Sequence, residues 1–315
     1  MRRFLLRRGA MLVVSLLVSS LVIYSSVYIA PGNPISVLSG GRALPRQSVL
    51  ALEARYHLNR PFFTQYWDWL TGVLHGNLGY SIIQRENVST LIGPRIATTT
   101  ELVLYAAVII VVAGIALGVL GALRPGMVDT STLLATTFLA ATPSFVAAIG
   151  LVTIFAVNLR WFPALGNGTG FADQIYHLTL PAIALAVSSL ALVARITRAA
   201  VREELEKEHV QTAVARGIPR RQLLRRHVLR NAAIPITTVT GVTIASLIAV
   251  AAVVETAFNL NGLGSYLVSS ASSKDFAVVQ AISLLLVAAF IVTNAFVDLL
   301  YAVLDPRVTL GRAAS

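Results

Sequence analysis

Uncharged apolar runs, each near the length of a bilayer crossing, recur along the chain. A helix needs about 20 residues to cross roughly 30 Å of hydrocarbon at about 1.5 Å per residue. Segments 10–30, 102–123, 133–158, 178–194, 232–254 and 277–304 meet or nearly meet that length. Pro143 interrupts the third, Pro181 lies in the fourth, and Pro235 sits in the first turn of the fifth. Such prolines kink or start helices. The sixth run carries Asn294 and Asp298. In lipid no water satisfies an open backbone group, so helix is the economical conformation for all six. The pattern predicts an all-α membrane protein of six transmembrane helices. The first run follows Arg2, Arg3, Arg7 and Arg8, as a signal peptide would. Its apolar stretch is longer than a signal core and no clear Ala-x-Ala site follows, so it reads as a retained first helix.

The segments between the runs set the organisation. Residues 1–30 hold the first helix, 31–97 form a small polar and aromatic domain, and 98–315 form a core with five helices. The domain at 31–97 has too few apolar residues for a large core and is expected to pack on the membrane surface or on a partner. Lysine and arginine decide orientation. With the N-terminus inside, seventeen of the 25 basic residues fall on the cytoplasmic side. Both termini are therefore expected in the cytoplasm, with 31–97 outside and 195–231 inside.

Composition agrees with lipid as the main solvent. Of the 315 residues, 56% are hydrophobic and only 12% charged, about half the charged share of a soluble domain. The absence of cysteine excludes disulfides, thiolate metal sites and cysteine nucleophiles. No G-x-x-x-x-G-K-[ST] string occurs, so any ATP must be bound by a partner. The histidines are not at metal-ligand spacing and no catalytic dyad is visible. No cofactor is expected, and the chain is read as a non-catalytic subunit.

The segment 195–231 reads RITRAAVREELEKEHVQTAVARGIPRRQLLRRHVLRN. Good helix formers fill it as far as Arg216, Gly217 is a helix stop, and Pro219 follows. Val210, Ala213, Val214 and Gly217 fall at i, i+3, i+4 and i+7, a narrow stripe of small residues. A plain connector needs only a handful of residues. Nucleic-acid binding would want aromatic stacking partners, and this loop has no Phe, Tyr or Trp. Protein docking is the best-supported reading.

The string Gln211-Thr212-Ala213-x-x-x-Gly217 resembles the coupling loop of ATP-binding-cassette importer permeases, usually E-A-A-x-x-x-G-x9-I-x-L-P. Gln211, Thr212, His227 and Arg230 depart from that pattern. The continuation His227-Val228-Leu229-Arg230-Asn231-Ala232-Ala233-Ile234-Pro235 is similar to the peptide and nickel permeases. Tyr56, Leu58, Asn59, Pro61, Gln65, Tyr66, Trp69, Leu70, Gly76, Asn77, Leu78 and Gly79 resemble the B-type subunit of that family. Glu255, Phe258, Gly262, Leu263, Gly264, Leu267, Asp275, Val278 and Gln280 continue the likeness, and Asn294, Asp298, Tyr301, Asp305, Pro306 and Arg307 complete it. The resemblance implies a di- or oligopeptide importer, with a nickel or other small-solute permease as the alternative. It implies a C-type sister permease, two cytoplasmic ATPases and an extracytoplasmic binding protein as partners. In another class, a stand-alone carrier would have no use for the docking loop.

Individual residues carry expectations of their own. Val210, Ala213, Val214 and Gly217 are the candidate contacts with an ATPase. Glu255 ends the fifth helix, either as an interface terminus or as a gate. Asn294, Asp298, Tyr301 and Asp305 share a helix face expected to point into the bundle, with Arg195 or Arg198 as partners for Asp298. Glu255, Asp298 and Asn294 are the gate or pathway candidates, because ionisable groups at membrane depth face an interior or water. Thr98-x-x-Glu101 reads as a capping box opening the second helix.

Overall fold

The computed structural model describes residues 2–29, 46 and 60–304. Most of the 31–59 stretch, and the motif positions Asp305, Pro306 and Arg307, lie outside the described residues. So does the side chain of Tyr301.

Ten helices make up most of the described chain. They are α1 (Arg2–Ile29), α2 (Phe62–Leu74), α3 (Val88–Leu123), α4 (Met127–Ala141) and α5 (Ser144–Asn158). Then come α6 (Phe171–Glu206), α7 (Glu208–Ala215), α8 (Arg220–Ala257), α9 (Leu263–Ser272) and α10 (Phe276–Leu304). A two-residue antiparallel ladder, β1 (Tyr80–Ser81) with β2 (Glu86–Asn87), is the one strand pairing among the described residues. Five helices are long and apolar enough to cross a membrane, and the pair α4–α5, bent by 103°, brings the number to six if it forms one span. The bend falls at Thr142 and Pro143, whose extended backbone ends one helix and opens the next. Pro181 and Pro235, by contrast, sit inside continuous helices.

The helices run well past the apolar runs that mark them. The second begins at Val88 rather than near residue 98, so Thr98 lies in its interior and opens no helix. The fourth spans 36 residues instead of the 17 of its apolar run. An apolar run records contact with lipid or with other apolar side chains, the latter in α6. These extensions are stabilised by contact with protein, which accepts polar side chains once they are paired.

The central element is α6. It is the most buried of the candidate spans, while α1 is the least. Ala182, Ala184, Ala186, Ala191 and Ala194 are buried along it. Gly114, Gly118 and Gly121 of α3 meet it at i, i+4 and i+7, where small residues let two backbones approach. Three π-turns, at Ile110–Gly114, Val152–Asn158 and Leu224–Val228, re-phase the faces of α3, α5 and α8. At the periphery α2 lies against α1. Tyr24 packs 5.5, 5.6 and 5.4 Å from the rings of Phe62, Tyr66 and Trp69, and Ser20 Oγ is 2.8 Å from Tyr66 OH.

Candidate functional site

The segment 195–231, expected as a helix-rich connection, is mostly helix. It holds the end of α6, all of α7 and the start of α8. The run of helix formers does not continue unbroken to Arg216: it stops at Lys207, whose ψ of 144° is extended, and restarts as α7. At the far end Gly217 takes a left-handed φ of 73°. Its amide donates to the Val214 carbonyl (2.9 Å) and the Ile218 amide to that of Ala213 (3.2 Å), the double closure of a Schellman motif. Pro219 follows. A residue with a Cβ would strain that turn.

The stripe on α7 divides in two. Val210 (2% exposed) and Ala213 (5%) pack inward against Val201, Leu223, Val228 and Ala232. Val214 is 58% exposed, and Gln211, Thr212, Ala215, Arg216 and Gly217 are exposed around it. The inward half holds α7 to the chain and the outward half is open to a partner. Arg220, Arg221, Arg225, Arg226 and Arg230 are exposed on α8 nearby.

Two buried carboxylates organise this end of the molecule, and sequence reasoning passed over both. Glu204 accepts from Lys207 Nζ (2.6 Å) and Asn231 Nδ2 (2.7 Å), and His209 Nε2 lies 3.0 Å away. The hydrogen bond to Glu204 holds the Lys207 ammonium above the ordinary lysine range, against the opposing effect of burial. Asp129, in the first turn of α4, accepts from Arg198 Nε, from Arg198 Nη2 (2.8 Å) and from Arg202 Nη2 (2.6 Å). Arg198 is thus committed to Asp129 and not to Asp298. The partner of Asp298 is Arg8 of α1, at 2.6 Å. Asn294 bonds within its own helix, to the Phe290 carbonyl at 2.9 Å.

Glu255 lies in a different cluster and is fully buried. Its Oε1 accepts from Thr99 Oγ1 (2.6 Å) and its Oε2 from the Ser265 amide (2.9 Å). Thr99 Oγ1 in turn accepts from the Leu263 amide (2.8 Å). Side chains of α3 and α8 therefore satisfy first-turn amides of α9. Gly262 is required beneath: a Cβ there would stand 2.3 Å from the Glu255 carboxylate. Asn167 adds a tether, accepting from the Asn261 amide and donating to Thr98 Oγ1, both at 2.8 Å. This arrangement joins three helices and exposes none of the Glu255 side chain.

A shallow apolar groove runs along α3, α8 and α10. Two cavities of about 360 and 340 Å³ share Ile244 and Thr293, and Thr99, Thr237 and Thr240 are among the residues that line them.

Comparison with known proteins gives a consistent picture. Residues 110–310 match the family described as binding-protein-dependent transport system inner membrane component, and residues 1–103 match its N-terminal component. The chain is 33% identical over 310 residues to the oligopeptide transport system permease protein OppB of Salmonella typhimurium, covering 98% of this chain and 99% of that one. It is 32% identical over 309 residues to a probable peptide ABC transporter permease of Sinorhizobium fredii, covering 97% and 98%. Among solved structures, an inward-facing form of the MetNI methionine ABC transporter superposes with a TM-score of 0.55. That match covers 68% of this chain and 96% of the other at 16% identity, a likeness of fold.

Proposed function

The chain belongs to the family of binding-protein-dependent transport system inner membrane components, and we propose that it is the B-type permease subunit of an ATP-driven importer of di- or oligopeptides. It is a multi-pass protein of the inner membrane. On this reading it forms half of the translocation pathway beside a sister C-type permease. Two cytoplasmic ATPases drive it, and an extracytoplasmic binding protein delivers the peptide. Full-length similarity to permeases named for oligopeptides supports peptide over nickel or another small solute. The apolar groove along α3, α8 and α10 supports a pathway face that accepts varied side chains.

The observation that carries the coupling assignment is α7: a short helix set off from α6, capped at Gly217, with its outer face uncovered. The exposed arginines of α8 beside it support a cytoplasmic position for this end, with both termini on the same side. The ATPase contact is assigned to Val214 and Gly217, together with the exposed Gln211 and Thr212. Val210 and Ala213 act from behind, by holding α7 in place. Val214→Asp puts a charge in the docking face without touching the buried side. In the assembled, reconstituted importer it is expected to raise ATP consumed per peptide imported several-fold, at unchanged membrane insertion. Wild-type coupling in that variant would remove α7 as the docking element.

A further inference from the structure

We propose that Glu204 is the positioning residue that holds the break between α6 and α7, and so sets the angle at which the coupling helix is presented. The inference rests on the coupling role given to α7 above. No glycine or proline lies between residues 195 and 216, and the residues around the break are good helix formers. Local preference therefore favours one continuous helix, and something else must bend it. Residues five apart in an α-helix are about 140° apart around its axis, at 3.6 residues per turn. His209 could not reach Glu204 in such a helix, yet its Nε2 stands 3.0 Å from Glu204 Oε1. That contact exists only in the bent form. Lys207, at the break itself, donates to the other carboxylate oxygen at 2.6 Å. Asn231 of α8 reaches Oε1 from outside the α6–α7 segment at 2.7 Å. One buried carboxylate thus gathers the end of α6, the break, the start of α7 and the start of α8.

The backbone adds little at this point. Lys207 N–H donates to the Glu204 carbonyl at a long 3.3 Å. The inward packing of Val210 and Ala213 keeps α7 close but does not itself select the bend.

Glu204→Leu is the informative variant. Removing one member of an ion pair is costly when the charge left behind stays buried. Lys207, His209 and Asn231 all reach solvent, so none is stranded. The chain has no cysteine, so a spin-labelled pair at Ala199→Cys and Ala215→Cys, both exposed positions, reports the angle cleanly. In the full importer the pair is expected to read well below the roughly 24 Å Cα separation of a straight helix. With Glu204→Leu the distribution is expected to broaden and shift toward that value, and ATP used per peptide to rise several-fold. An unchanged distance overturns the proposal, leaving apolar packing as what holds the bend. So does loss of insertion or of complex assembly, which would make Glu204 a folding element. A lengthened distance with normal coupling, in Val214→Asp as well, upholds the role of Glu204 at the bend and removes the coupling reading.

Discussion

Glu255→Ala is expected to destabilise the protein by about 3 kcal/mol, the penalty for leaving buried polar partners unsatisfied. The Ser265 amide loses its acceptor and the Thr99 hydroxyl loses the oxygen to which it donates, both in a region closed to water. Glu255→Gln keeps the volume and one carbonyl oxygen, and is expected to cost about 1 kcal/mol. Thermal unfolding of the purified protein in detergent measures both. An alanine variant as stable as wild type would mean that the carboxylate does not cap α9. The glutamine variant also decides the gating role. With normal peptide import and normal coupling, Glu255 acts by holding α3, α8 and α9 together, and no gate need be assigned to it.

Gly118→Leu is expected to be at least as damaging. A Cβ at residue 118 would lie 2.5 Å from the Ala194 carbonyl oxygen and 2.5 Å from Thr197 Cβ. Backbone cannot swing aside as a flexible side chain can, so α3 must separate from α6, the most buried of the candidate spans. Overpacking of this kind costs about 3 kcal/mol or more. The expected result is a steep fall in monodisperse protein on size exclusion and a lowered unfolding temperature. Gly150→Ala is the matched control: it is also helical, but a Cβ there meets nothing within 4 Å. It is expected to be neutral or slightly stabilising, since alanine suits a helix better than glycine. Equal loss in both variants would point to a general intolerance of substitution rather than to the α3–α6 seam.

These two sites also mark where the sequence was legible. The candidate crossings could be located, because both lipid and an apolar helix interface write themselves as uninterrupted apolar runs. The ends of α3 and α6 could not be placed, because there polar residues such as Thr99 and Glu204 are buried by pairing with distant parts of the chain. The break at Lys207 was invisible for the same reason: it depends on a contact across five residues and on Asn231 of another helix. Spacing put Asp298 on one face with Asn294 but did not identify the partner it meets, which is Arg8 of the peripheral helix α1. Arg8 is nearly the whole chain away, and Arg198, the nearer guess in sequence, is occupied by Asp129. The stripe on α7 was identified, though not which half faces the protein. Periodicity locates a face without saying what lies against it.

The pair between Arg8 and Asp298 joins the first long helix to the last, and this has a consequence for how the molecule is made. At about 5–20 residues per second, synthesis of the intervening chain takes roughly 15–60 s. Through that interval α1 is already in the bilayer, while the α10 surface that will receive it is still unsynthesised. The first helix to enter the membrane is therefore among the last to be seated, and the nascent chain must keep it waiting in lipid until its C-terminal partner arrives.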